Sequence, residues 1–162
     1  MHGFPAYVGL GSNLRDPREQ VRAAFDALAA LPATLLVLRS SLYRSRPMGP
    51  VAQPEFCNAA AGLLTELDAR ALFLGLRRIE AQMGREPARV RWGPRVIDLD
   101  LLVYGSERRS EADLVVPHPG IAERNFVLQP LAEIAPDLRV PGLGRVADLV
   151  TRVSNEGLWK VA

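Results

Sequence analysis

The chain has one cysteine, Cys57, and one lysine, Lys160, among its 162 residues. A single thiol excludes an internal disulfide. It reads as a small buried residue of a protein at home in the reducing cytoplasm. No apolar run approaches the ~20 residues that span a bilayer, and the opening Met-His-Gly-Phe-Pro lacks the basic-then-apolar pattern of a secretion signal. No Gly-x-x-x-x-Gly-Lys-Ser/Thr occurs, so any nucleotide must be held without a Walker loop. Gly9-x-Gly11 lacks the third glycine of a dinucleotide loop, Leu14 standing in its place, and is read as a plain turn. Charge of one sign is also scarce: the net value is +2, too little for a nucleic-acid footprint. Internal repeats, low-complexity tracts and linkers are missing too. The chain is therefore expected to be one domain, residues 1–162, a monomer with no membrane partner.

What is present is the composition of a globular domain, 48% hydrophobic and 23% charged. Residues 6–10 read as a buried strand. Asp16-Pro17-Arg18-Glu19 opens a helix with an expected Asp16 cap, proline at the first helical position and glutamate three residues after the cap. Its buried stripe is Val21, Ala24, Phe25, Leu28 and Leu31, and Pro32 ends it. Residues 34–43 form a second strand with Leu36, Leu38 and Leu42 on one face. Residues 56–67 form a third, with Ala59, Ala61 and Leu63 alternating against Asn58 and Ala60. Asp68 caps a second helix, where Leu72, Leu76, Ile79 and Met83 repeat at helical spacing before Gly84. A fourth long strand covers 96–104. The order strand, helix, strand, strand, helix, strand is the split β-α-β pattern. It predicts an α+β ferredoxin-like antiparallel sheet with both helices on one face and extra C-terminal elements. Those include a short strand at 114–116 and helical turns at 126–134. The last twenty residues carry no assignable pattern.

The fourth strand carries the chemistry. Side chains alternate along a strand. Ile97, Leu99, Leu101 and Val103 are thus expected on a core face, and Val96, Asp98, Asp100, Leu102 and Tyr104 on the other. Two aspartates roughly 7 Å apart repel by on the order of 2 kcal/mol at an effective dielectric of about 20. A positive group must offset that, and two kinds are open. One is arginine, abundant just upstream. The other is a hard divalent cation such as Mg²⁺, which favours one or two carboxylates plus phosphate oxygens; two such ions about 4 Å apart serve phosphoryl chemistry.

Two loops have the wrong composition for mere connectors. Residues 44–55 contain Pro47, Gly49, Pro50 and Pro54, a stiff frame leading to Phe56 and Asn58 on one strand face. An aromatic can stack on a heterocycle and an amide can pair with its edge; equally, the phenylalanine can fill a core. Residues 84–95 carry Arg85, Arg89, Arg91 and Arg95 against the single acid Glu86. Such a run is either a solvated face or a set of phosphate clamps feeding the aspartate strand. Downstream, Pro117-His118-Pro119-Gly120 fixes a histidine in a turn, ahead of Arg124-Asn125-Phe126.

The string Arg91, Gly93, Pro94, Arg95, Asp98, Leu99, Asp100, Leu101, Leu102 resembles the signature of the 6-hydroxymethyl-7,8-dihydropterin pyrophosphokinases of folate synthesis. The likeness extends over residues 7–141. It takes in Gly11-Ser12-Asn13-Leu14, Pro47-Met48-Gly49-Pro50, Gln53-Pro54, Phe56 with Asn58-Ala59-Ala60, Arg78-Ile79-Glu80 and Gly84-Arg85. What the resemblance implies is transfer of the terminal diphosphate of ATP to the pterin hydroxymethyl group, with release of AMP. It implies two Mg²⁺ ions on Asp98 and Asp100, and a pterin sandwiched by Phe56 and Phe126. Asn58 and the backbone from Ser45 to Met48 would bond the pterin edge, beside Trp92 and Asp98. Arg85, Arg91, Arg95, His118 and Arg124 would contact the triphosphate, with Trp92 and Glu80 lining the cleft and Leu101 and Val115 at the adenine. Arg85, Arg95, Asp98 and Asp100 are the expected catalytic set. Pro87 and Asp113 stand where basic residues can occur in the family, and Pro119 where an aromatic can. The other class weighed is a ferredoxin-like module for single-stranded RNA. It lacks an RNP-like aromatic and basic run, and its two sheet aspartates would repel a backbone, so no nucleic-acid partner is expected.

Overall fold

The computed structural model describes residues 3–47, 49–50, 52–84 and 96–161. Strand β1 (Phe4–Ser12) leads into helix α1 (Pro17–Ala29), then β2 (Thr34–Arg39), β3 (Tyr43–Ser45), β4 (Phe56–Thr65), helix α2 (Ala69–Gln82) and β5 (Asp98–Tyr104). A hairpin of β6 (Arg109–Ser110) and β7 (Val115–Val116) precedes a 3₁₀ turn (Ile121–Glu123) and helix α3 (Asn125–Ile134). β8 (Arg139–Val140) pairs with β9 (Gly144–Arg145), and α4 (Val146–Val150) and β10 (Leu158–Lys160) complete the order.

The main sheet runs β10-β3-β4-β1-β5, with β2 beside the far half of β4. Every pairing in it is antiparallel. Taking β2 and β3 as one interrupted strand, the order is the ferredoxin-like one that the element pattern predicts. Helices α1 and α2 bury their stripes on one face, where Val21, Phe25, Leu28, Leu72, Leu76 and Ile79 meet Ala6, Val8, Leu10, Ala59, Ala61 and Leu63. Leu28, Leu72 and Leu76 are wholly buried, each worth about 1.5–3 kcal/mol. A second core lies on the opposite face, where Leu128 and Leu131 of α3 and Leu149 of α4 pack with Leu102 and Val103. It covers one end of that face, and the other end holds Asp98, Asp100 and Asn58.

Four local expectations are corrected. The register of β1 against β5 shifts between Tyr7 and Val8, which leaves Leu102 as an extra residue. Beyond that bulge the alternation reverses: Val103 joins the α3-side core and Tyr104 the helix-side core. A second shift, between Leu36 and Leu38, sets Leu38 opposite Gly62 and apart from the face of Leu36. The second strand is interrupted at residues 40–42 and continues as β3. Asp16 makes no side-chain cap; it and Arg15 are left-handed (φ 60° and 53°), a sharp bend that carries its carboxylate away from the helix amides. Asp68 does cap α2, accepting from the Ala71 N–H at 2.8 Å.

Candidate active site

One cross-strand row organises the site. Tyr43 of β3 pairs with Asn58 of β4, Asn58 with Gly11 of β1, and Gly11 with Asp98 of β5. One step along, Ala60, Gly9 and Asp100 form the next row on that face. Asn58 and Asp98 therefore stand two strand spacings apart, about 9.6 Å, with only glycine between them. A Cβ on Gly11 would meet Asn58 Nδ2 at 3.0 Å and Phe56 Cδ1 at 3.9 Å. The bare glycine backbone is thus the floor of a trough with an amide on one bank and carboxylates on the other. Ser45 Oγ donates to Asn58 Oδ1, which turns the amide nitrogen toward that floor. At the end of β1, buried Asn13 donates to Gln53 Oε1 (2.7 Å) and to the Pro54 carbonyl (3.0 Å), fastening the proline-rich loop that leads into Phe56.

The strand bearing the aspartates lies at the sheet edge, yet its outer edge is occupied. Glu80, only 2% exposed, accepts from the Leu99 N–H at 2.8 Å. Arg77, one helical turn earlier, donates to the Leu99 carbonyl at 2.7 Å and pairs with Glu80 at 2.7 Å. Two side chains of α2 thereby replace a neighbouring strand at the residue between Asp98 and Asp100. Glu80, expected at the ATP cleft, has its carboxylate in this clasp. Among the described residues no group of three or more His, Cys, Asp or Glu could hold a metal. A pair of sheet carboxylates at this spacing suits a hard ion that completes its shell with water and phosphate.

The remaining described candidates lie on β5, the β6–β7 hairpin, the turn after β7 and the start of α3. His118 donates its backbone N–H to the Leu102 carbonyl (2.9 Å), which ties its turn to β5. Its ring Nδ1 accepts from the Gly120 N–H at 3.0 Å, so Nε2 carries the proton. Burial pushes the His118 pKa below its usual value; the Asp100 charge opposes this, and Arg124 and Arg77 add to it. The Arg124 guanidinium rests on Gly120, where a Cβ would lie 2.7 Å from Nε, and 5.9 Å from the Phe126 ring. Ser45, Arg124 and Phe126 line a cavity of about 520 Å³ whose far wall is Val153, Ser154 and Gly157. Leu101 buries its side chain in the helix-side core, so only its backbone can face the cleft, while Val115 is 40% exposed on β7. Asp113 is engaged by Arg70 at 2.8 Å, as is Glu111 at 2.9 Å, and the Arg70 hydrogen bond holds the Asp113 carboxyl below the usual carboxylate range. Met48, Arg85, Arg91, Trp92 and Arg95 lie outside the described residues.

The family model of 7,8-dihydro-6-hydroxymethylpterin-pyrophosphokinase matches residues 7–136. The chain belongs to that family. It is 47% identical over 155 residues to the 2-amino-4-hydroxy-6-hydroxymethyldihydropteridine pyrophosphokinase of Pseudomonas aeruginosa, covering 96% of this chain and 95% of that one. The Haemophilus influenzae pyrophosphokinase of the same name is 44% identical over 156 residues, covering 96% and 97%. Among solved structures, Plasmodium falciparum HPPK-DHPS with pteroate superposes at a TM-score of 0.73 and 13% identity, over 92% of this chain and 42% of that one. A second form, with pterin and p-hydroxybenzoate, gives 0.75 at 12% identity, over 98% and 47%. The chain spans less than half of those longer proteins, and at such identity they bear on the fold alone.

Chemically, an amide can pair with the edge of a heterocycle, carboxylates can hold a cation, and a histidine N–H or a guanidinium can bond an anion; Asn58, the Asp98/Asp100 pair, His118 and Arg124 offer those groups. Arg77 and the cavity wall of Val153, Ser154, Glu156 and Gly157 escaped the sequence reading, and Asn13 entered it only as part of the family likeness. Arg77 and Glu80 stand at i,i+3 on a helix, which from sequence is an ordinary surface pair.

Proposed function

We propose that this pyrophosphokinase transfers the terminal diphosphate of ATP to the hydroxymethyl group of 6-hydroxymethyl-7,8-dihydropterin, releasing AMP. The observation that supports the reading is the single row Asn58–Gly11–Asp98, which sets an amide opposite a carboxylate across a glycine floor. On this reading Phe56 and Phe126 stack on the pterin. Asn58, Ser45 and the backbone near Met48 bond its polar edge, with Trp92 beside it. Arg85, Arg91, Arg95, His118 and Arg124 hold the triphosphate, with the adenine at Val115 and the backbone of Leu101. Asp98 and Asp100 would hold two Mg²⁺ ions, which would supply positive charge beside the phosphates.

The pterin hydroxyl oxygen attacks the β-phosphorus in line, the bond from that phosphorus to the α,β-bridging oxygen breaks, and AMP leaves with the bridging oxygen. The hydroxyl proton passes to solvent. Neutral His118, with Nε2–H outward, donates to a phosphate oxygen. Positioning and charge stabilisation supply most of the rate, as is general for phosphoryl transfer.

Asp98→Ala and Asp100→Ala test the roles. Each is expected to lower turnover by about 10²–10³-fold, the scale for losing a main charge-stabilising group, with an unchanged circular dichroism spectrum. Near-normal turnover in both overturns the cation assignment.

A further inference from the structure

Residues 153–157 lie beyond the part of the chain that the family model matches, which ends at residue 136, yet they wall the cavity shared by Ser45 and Phe126. The two near walls of that cavity are the end of β3 and the first turn of α3. The C-terminal segment is bonded to both. β10 pairs with β3, Leu158 opposite Ser45, and the Arg46 N–H donates to the Gly157 carbonyl at 2.9 Å. On the other side Asn125 spends both amide hydrogens on the segment, reaching the Ser154 carbonyl at 2.8 Å and the Glu156 carbonyl at 3.0 Å. One turn on, the Gln129 amide donates to Asn155 Oδ1.

The first turn of α3 needs such a tie. Arg124, at its cap position, gives no side-chain cap. Pro130 sits inside the helix; it has no N–H for the Phe126 carbonyl four residues earlier and crowds that carbonyl. The turn that presents the Phe126 ring therefore lacks two of the bonds that fix an ordinary helix start. Arg124 differs, because its guanidinium rests on Gly120 of the preceding turn. The segment itself is stiff: the Glu156 N–H donates to Ser154 Oγ at 3.0 Å, and Gly157 takes φ +74° with Arg46 carbons 3.3 Å from where a Cβ would be.

We propose that residues 153–157 form a strap that sets the width of the cavity between Ser45 and Phe126, with Asn125 and Gly157 as its two pins. This rests on the reading that Phe126 stacks on the pterin and Ser45 bonds its edge. Asn125 is a positioning residue: it acts by fixing where Phe126 stands relative to Ser45, and it touches neither the phosphates nor the reacting atoms. The strap thus makes pterin affinity, and the tolerance for substituents on the ring, a property of the C-terminal segment.

The test is steady-state kinetics on the full-length chain carrying Asn125→Ala or Gly157→Ala. Each substrate is varied at saturation of the other, with melting temperatures measured alongside. Loss of the two amide bonds is expected to raise KM for the pterin about tenfold, leaving KM for ATP and kcat within about twofold. Gly157→Ala, which pushes on Arg46 from the opposite pin, is expected to move the pterin KM in the same direction. Asn125→Asp, equal in shape but facing two carbonyls without donors, is expected to lose at least as much as the alanine variant. Pterin KM within twofold of wild type in both pin variants overturns the strap. So does a rise of both KM values together with a lower melting temperature, which marks a merely structural role. A wild-type chain that forms no pterin diphosphate sinks instead the reading on which the strap rests.

Discussion

Glu80→Ala removes the carboxylate that ties α2 to the edge of the aspartate strand. The Glu80 side chain is 3% exposed and that of Arg77 35%. Truncation orphans the Leu99 N–H, a loss of about 1–3 kcal/mol for a buried donor. It also strands the Arg77 guanidinium, where breaking a fully buried pair costs about 3–5 kcal/mol. Arg77 keeps some contact with water, so the lower end applies, and we expect a net loss of about 3 kcal/mol. Unfolding entropy of about 2.1 cal/mol/K per residue turns this, over 162 residues, into a melting point lower by about 9 °C. The pair should also be strongly coupled, since Arg77→Ala removes the cationic partner that stands 2.7 Å from a buried carboxylate. Urea unfolding of wild type, both single variants and the double variant measures that coupling. The double variant is expected to be more stable than additivity gives by at least about 1.5 kcal/mol. Additivity within about 0.5 kcal/mol refutes the clasp as a unit.

Other consequences follow from the same geometry. Gly11→Ala puts a methyl 3.0 Å from Asn58 Nδ2 on the trough floor. Pterin affinity, read by titration calorimetry, should fall at least about tenfold with a melting point within a few degrees of wild type; unchanged affinity removes Gly11 from the floor. His118, with its pKa below the usual value because of burial, is expected to be neutral at pH 7. The folded state then binds fewer protons there than the unfolded chain. Its contribution to stability is complete above about pH 6.5 and is lost as pH falls through the lower folded midpoint. The chain has two histidines, so nitrogen-edited NMR across pH 4–8 resolves it, and a midpoint above 6.5 in the ligand-free protein contradicts the buried neutral ring.

Much of the site was legible because strand period is simple. Asp98, Asp100 and Asn58 were expected on the face away from the helices, and registers through Gly11 and Gly9 bring them into adjacent rows. The Asp68 cap was legible because a cap is local chemistry. The Asp16 cap was not, since two left-handed residues override the same motif. Nor was the fate of Val103 and Tyr104, because a bulge at Leu102 depends on the partner strand and leaves no mark in the strand's own sequence. The clasp on Leu99 required knowing that β5 is an edge. The far wall of the cavity required knowing that residues 158–160 return to pair with β3.

The most direct test of the account is product analysis after incubating the chain with ATP carrying labelled phosphorus at the γ position, Mg²⁺ and 6-hydroxymethyl-7,8-dihydropterin. The account predicts AMP in step with a labelled pterin diphosphate, and loss of both products in Asp98→Ala. Formation of ADP with a pterin monophosphate, or equal yields from the variant, contradicts it.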